Sequence, residues 1–207
     1  MFKKYFAALS ATALIGVAPF ALAASSTDLT VTGLITPNAC TPTLSGGGIV
    51  DHGEFSAKDL HLDKTTPLPF ETVQLAVNCD AATAFRLLPT DNRLGTVVGA
   101  NDFGLGYING DQELGGFTLR LMAPVADGIA VQPLLSATNG NTWFRSPNLS
   151  PSQLSAFGAV GGPNTPIAIK DLLTDLRVST QIARADSLDL TNEVALDGSA
   201  TITIDYP

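Results

Sequence analysis

The sequence predicts an all-β protein, an antiparallel β-sandwich, and three observations carry that reading. Short runs alternate apolar and polar residues with the period of two that a half-buried strand requires. The turn dipeptides Asn109-Gly110, Asp127-Gly128 and Asn139-Gly140 separate such runs, because a tight primed turn needs positive φ. Charged residues are only 14% of the chain, while 19 glycines and 13 prolines punctuate it. A chain so apolar folds, and one so rich in turn formers folds into short strands.

The chain opens with Lys3 and Lys4 ahead of an apolar run from Tyr5 to Leu22, broken by Pro19. Ala21-Leu22-Ala23 supplies the small-x-small pattern of a signal peptidase site. This is the pattern of an export signal over residues 1–23, since the apolar run is short, interrupted and lacks a stop-transfer flank. Residues 24–207 then form a single domain, outside the cytoplasm and with no transmembrane segment. Removing Lys3 and Lys4 from 11 basic side chains leaves 9 against 19 acidic, a net charge near −10. Such a surface repels nucleic acid and anionic lipid, and neither is expected as a partner.

Cys40 and Cys79 both lie after the signal, and an oxidising destination makes one disulfide the default reading, with two free buried thiols as the alternative. The loop it closes gives the bond a worth of roughly 4 kcal/mol in the chain-entropy account. Two cysteines alone do not make a zinc site, and His52 and His61 are not placed to complete one.

In chain order, residues 29–40 read as a first strand, with Leu29, Val31 and Gly33 alternating with Thr30 and Thr32. Gly46-Gly47-Gly48 is a flexible turn without the lysine and helix of a phosphate loop. Strands are expected at 49–55 and 71–78, the second with Val73, Leu75 and Val77 inward, and Pro67 and Pro69 mark a loop or sheet edge between them. A short strand at 84–88 leads to a turn at Asp91-Asn92-Arg93. Residues 116–122 alternate Phe117, Leu119 and Leu121 with Thr118 and Arg120, and Asp127-Gly128 turns them into a strand at 129–134. The stretch 146–162, rich in Pro, Ser, Asn and Gly, is expected to be irregular. Residues 167–182 fit a helix or strands; the alternation of Leu176, Val178, Thr180 and Ile182 favours strand over 175–182.

The last nine residues, 199–207, read as a closing strand with Ala200, Ile202, Ile204 and Tyr206 on one face and Thr201, Thr203 and Asp205 on the other. With no later segment to pair with it, that strand is either central or an edge open to another chain.

Gly33 ahead of Cys40, the second cysteine at 79, LGGFTLRL at 114–121, Asp127-Gly128, SATNGNTW at 136–143 and the alternating tail with penultimate Tyr206 together resemble the chaperone–usher fimbrial subunits. More narrowly, the chain resembles a pilin-like, fimbrial-like branch whose members are mostly classed as domains of unknown function. The resemblance spans nearly all of residues 24–207. It implies an incomplete immunoglobulin-like sandwich lacking its seventh strand. A periplasmic chaperone would pair with the edge formed by Ala200, Ile202, Ile204 and Tyr206. After passage through an outer-membrane usher, another fimbrial subunit's N-terminal extension would replace it by donor-strand exchange. Where such families often carry a glycine shortly before the closing strand, Val194 stands here and Gly198 is the nearest. Only Leu29 and Val31 offer apolar anchors for donation to a neighbour, so the chain is expected to accept a strand readily and donate poorly.

A catalytic role is not expected, nor a cofactor. Asp51, Asp59 and Asp63 lie near His52 and His61, which an exposed loop of mixed charge explains more simply than a metal site. Asp111 and Glu113 flank a tight turn, where acidic residues are common, and would serve as a glycosidase pair only beside a sugar cleft. Trp143, the one tryptophan, suits packing against the disulfide or core better than stacking on a sugar. Two function classes remain: a structural or adhesive subunit of a surface fimbria, and a self-contained secreted carbohydrate-binding or adhesion module.

Overall fold

The computed structural model describes residues 39–99 and 102–207. The expected signal peptide, most of the expected first strand and the donor candidates Leu29 and Val31 lie outside those residues. The strands, in chain order, begin with β1 (Cys40–Leu44), β2 (Thr66–Pro67), β3 (Glu71–Thr83) and β4 (Arg86–Asp91). Then come β5 (Phe103–Gly104), β6 (Tyr107–Ile108), β7 (Gln112–Glu113), β8 (Gly115–Ala126) and β9 (Ile129–Ser136). The chain finishes with β10 (Phe144–Arg145), β11 (Asn148–Leu149), β12 (Leu154–Ala159), β13 (Ile169–Ile182) and β14 (Ala200–Asp205). No α-helix occurs among the described residues, and the fold is all-β.

Hydrogen bonding runs along one path, β1-β3-β13-β8-β9-β12-β4-β14, and every step is antiparallel. The path folds over at the β8–β9 hairpin, where only Val125↔Ala130 and Ala126↔Ile129 pair. Leu75 and Val77 of β3, Leu176 of β13 and Leu119 of β8 thereby meet Leu87 of β4 and Phe157 of β12 in one apolar cluster. This is a sandwich whose two halves share a single core.

Local sequence explains most of the elements. In β3, Val73, Leu75, Val77 and Cys79 are buried, while Thr72, Gln74 and Asn78 are exposed. In β13, Leu172, Thr174, Leu176, Val178, Thr180 and Ile182 are buried at every second position, so the region that fitted either a helix or strands is one long strand. Asp127 (φ 50) and Gly128 (φ 79) make the two-residue turn joining β8 to β9. Asn109 (φ 52) and Gly110 (φ 99) turn β6 back onto β7, and Asn139 and Gly140 shape the connection from β9 to β10.

Two expectations need correction. Residues 49–55 are not a strand: they run irregularly, with Ile49 76% exposed and Gly53 at φ 66, its N–H donating to Asp51 Oδ1 at 2.8 Å. The local Asx turn and the preceding glycines, all at positive φ, draw this apolar stretch out of the ladder. Residues 146–162 are not irregular throughout, because β11 and β12 lie within them. β12 sits between β9 and β4 and is buried on both faces, so Leu154, Ser155, Ala156, Phe157 and Gly158 carry no alternation to reveal it.

Candidate functional site

The two ends of the hydrogen-bonded path face one another. β1 pairs only with β3 and β14 only with β4, which leaves one ladder edge of each without a strand among the described residues. Cys40 of β1 meets Tyr206 just beyond β14, and Leu44 shares a cavity with Ala200 and Ile202, so the two edges run antiparallel across a seam.

One end of the seam is fastened. Cys40 and Cys79, directly opposed in the β1–β3 register, form the disulfide expected from the sequence. The backbone N–H of Cys40 donates to Tyr206 Oη at 2.9 Å. Arg86 of β4 donates to the Tyr206 carbonyl at 2.9 Å and pairs with the Asp205 carboxylate. Tyr206 is thus held on both sides of the seam by groups far apart in sequence. The disulfide places the domain in an oxidising compartment such as the periplasm or the extracellular space.

The other end opens into a cavity of about 260 Å³. Leu44, Val50, His52, Leu196, Ala200 and Ile202 line it, together with Val73, Phe117 and Leu176. Ala200, Ile202, Ile204 and Tyr206 are half-buried against the core, and Thr201 and Thr203 are exposed. A second cavity of about 640 Å³ shares Val50, His52 and Leu196 with the first and runs between the 50–60 loop and residues 190–196. Leu190, Val194 and Leu196 pack on the core there without forming a strand.

Gly198 lets the chain pass close to the core before β14. A Cβ at that position would lie 2.8 Å from Leu105 Cδ2 and 3.0 Å from Phe117 Cε1. Phe117 in turn stacks on Phe103 with ring centroids 5.0 Å apart, so that wall yields little. Polar contacts fix the approach: Asn92 Nδ2 donates to Ser199 Oγ at 2.9 Å and Thr201 Oγ1 at 3.0 Å, and Arg93 Nη2 donates to Asp197 Oδ1 at 2.6 Å. The Arg93 hydrogen bond holds the Asp197 carboxyl below the usual aspartate range. Sequence reading missed Asn92, Arg93 and Arg86 as the residues that seat the tail. Their only signal was a short strand followed by a turn at Asp91-Asn92-Arg93, which says nothing about a partner a hundred positions away.

The other candidates disperse. His52 Nε2 bonds Thr180 Oγ1 at 2.9 Å, and the His61 backbone N–H donates to Thr66 Oγ1 at 2.7 Å. Among the described residues no three His, Cys, Asp or Glu side chains gather to hold a metal ion, so Asp51, Asp59 and Asp63 assemble nothing with the histidines. Asp111 and Glu113 line a depression also bordered by Lys64 and Arg184. Trp143 lies half-buried beside Gly140, outside the central apolar cluster.

Residues 29–117 match the family model described as "Protein of unknown function (DUF1120)". Over 99% of both chains, the sequence is 28% identical to "Protein GltF" of Escherichia coli (strain K12). It is also 23% identical to "Uncharacterized protein YhcF" of the same organism, over 93% of this chain and 97% of that one.

Proposed function

We propose that this protein is a non-catalytic subunit of a bacterial surface fimbria, structural or adhesive, whose seam between β1 and β14 receives a strand from a partner. The observation that carries the reading is a pair of ladder edges, unpartnered among the described residues, that face each other over a core-lined cavity. An open edge with an apolar floor is the geometry that strand addition uses: backbone bonds give affinity and alternate side chains fill the floor. Because β1 and β14 run antiparallel, an inserted strand lies antiparallel to one and parallel to the other. A periplasmic chaperone fills the seam first, and another subunit's N-terminal segment replaces it at an outer-membrane usher. Each fully buried anchor contributes about 1.5–3 kcal/mol.

The test is to produce the exported chain with and without a periplasmic fimbrial chaperone from the same bacterium. The expected result is a one-to-one complex with the chaperone, and little folded protein without it. Ile202→Asp, which sets a charge against the apolar floor, abolishes the complex.

A second reading, a self-contained secreted carbohydrate-binding or adhesion module, is favoured by the Cys40–Tyr206 hydrogen bond, which already bridges the seam at one end. Wild-type chain accumulating as a stable lone monomer supports that reading and contradicts the first.

A further inference from the structure

The outer face of the β3–β13–β8 half carries a feature the seam does not use. Register sets Arg177 of β13 directly opposite Arg120 of β8. The same cross-strand row continues to Thr72 of β3 on one side and Asn148 of β11 on the other. Like charges directly opposite on neighbouring strands, with Cβ atoms roughly 5 Å apart, destabilise a sheet. A carboxylate nearby normally offsets that cost. Here neither arginine enters an ion pair with the described residues; the three ion pairs among them use Arg86, Arg93 and Arg184. Asp175, two positions along the same face, pairs in register with Met122 and Gln74 and makes no ion pair with either arginine.

Arg177 is also held in place. Its guanidinium carbon sits 3.8 Å over the centre of the Phe70 ring. Stacking of this kind engages the flat face of the guanidinium and leaves its N–H edge free to donate. Arg177 is half-buried and Arg120 exposed, so a stacked cation lies across the ladder from one that solvent reaches. Two arginines opposed across the ladder, in a chain of net charge −8, match a single oxyanion better than a polyanion, which the rest of the surface repels. Around the pair, Thr72, Gln74, Asn148, Thr118 and Ser179 are neutral hydrogen-bonding groups suited to hydroxyls, while the row beside Gln74 also holds Asp175 and Met122.

We propose that Arg120 and Arg177 form a clamp for the carboxylate of an acidic sugar, with the flanking threonine, glutamine and asparagine side chains reading its hydroxyls. The site stands apart from the seam and does not depend on strand addition.

The experiment titrates the intact, disulfide-bonded protein with glucuronate and follows the arginine Nε–H signals by NMR at constant ionic strength. Glucuronate should shift the Arg120 and Arg177 signals saturably, and its methyl ester and glucose should not. Arg120→Gln and Arg177→Gln should each weaken binding by about tenfold or more, as loss of a charge-assisted bidentate pair does. Arg120→Gln should also raise the ligand-free Tm by relieving the repulsion, which separates loss of binding from loss of folding. Equal shifts with chloride, no saturation, or undiminished binding by the double variant would overturn the clamp. Equal affinity for an acidic dipeptide would overturn the sugar as its ligand.

Discussion

At the scale of single residues, backbone conformation and close approach decide more than side-chain chemistry. Ala123 lies in β8 at φ 46, where the ladder slips so that Ala123 and Pro124 together oppose Thr174. An L-residue with a Cβ pays about 1–2 kcal/mol in the left-handed region, most of which glycine avoids. Ala123→Gly should therefore raise stability by about 0.5–1 kcal/mol in a urea titration. Gly198 is the opposite case. Gly198→Val would push side-chain atoms into Leu105 and Phe117 and should cost about 1–3 kcal/mol by the same measurement. Asp197 adds a dependence on pH. Its hydrogen bond with Arg93 lowers its folded-state pKa below the unfolded value of about 3.9. That stabilisation is complete above the unfolded value and is lost as pH falls through the folded one. Unfolding midpoints measured against pH should show the acid limb of the wild type flattened in Arg93→Gln.

At the scale of elements, strands with one face in the core were legible and strands with both faces covered were not. β3, β8 and β13 show buried Val73, Leu75 and Val77, Phe117, Leu119 and Leu121, and Leu176, Val178 and Ile182 at alternate positions. Their pattern could be read without knowing any partner. β12 could not, because Leu154, Ser155, Ala156 and Phe157 are buried one after another, which removes the period of two. Residues 49–55 misled for the reverse reason: Val50 packs on the core, but the positive φ of the flanking glycines denies the segment a ladder. The edge character of β14 was partly legible, since Ala200, Ile202 and Ile204 alternate with threonines. The strand across the seam was not, because nothing local links Cys40 to Tyr206. If β12 is a central strand, Phe157→Ala should cost about 3–5 kcal/mol, near the top of the range for a core truncation. Thermal and urea unfolding of the variant would show it.

At the scale of the whole molecule, one hydrogen-bonded path of the described residues wraps around one core and, among those residues, stops short of closing. The disulfide fastens β1, an edge strand of five residues among the described ones, to its ladder partner β3. Reduction should lower stability by about 4 kcal/mol in the loop-entropy account and should loosen β1 first. The seam is the central feature, and amide hydrogen exchange measures it most directly. The free chain should exchange β1 and β14 amides fast and β3, β13 and β8 amides slowly, and a bound chaperone should slow β1 and β14 selectively. Protection of β14 equal to that of β13 in the free chain, unchanged when the chaperone is added, would contradict an open seam that takes a strand.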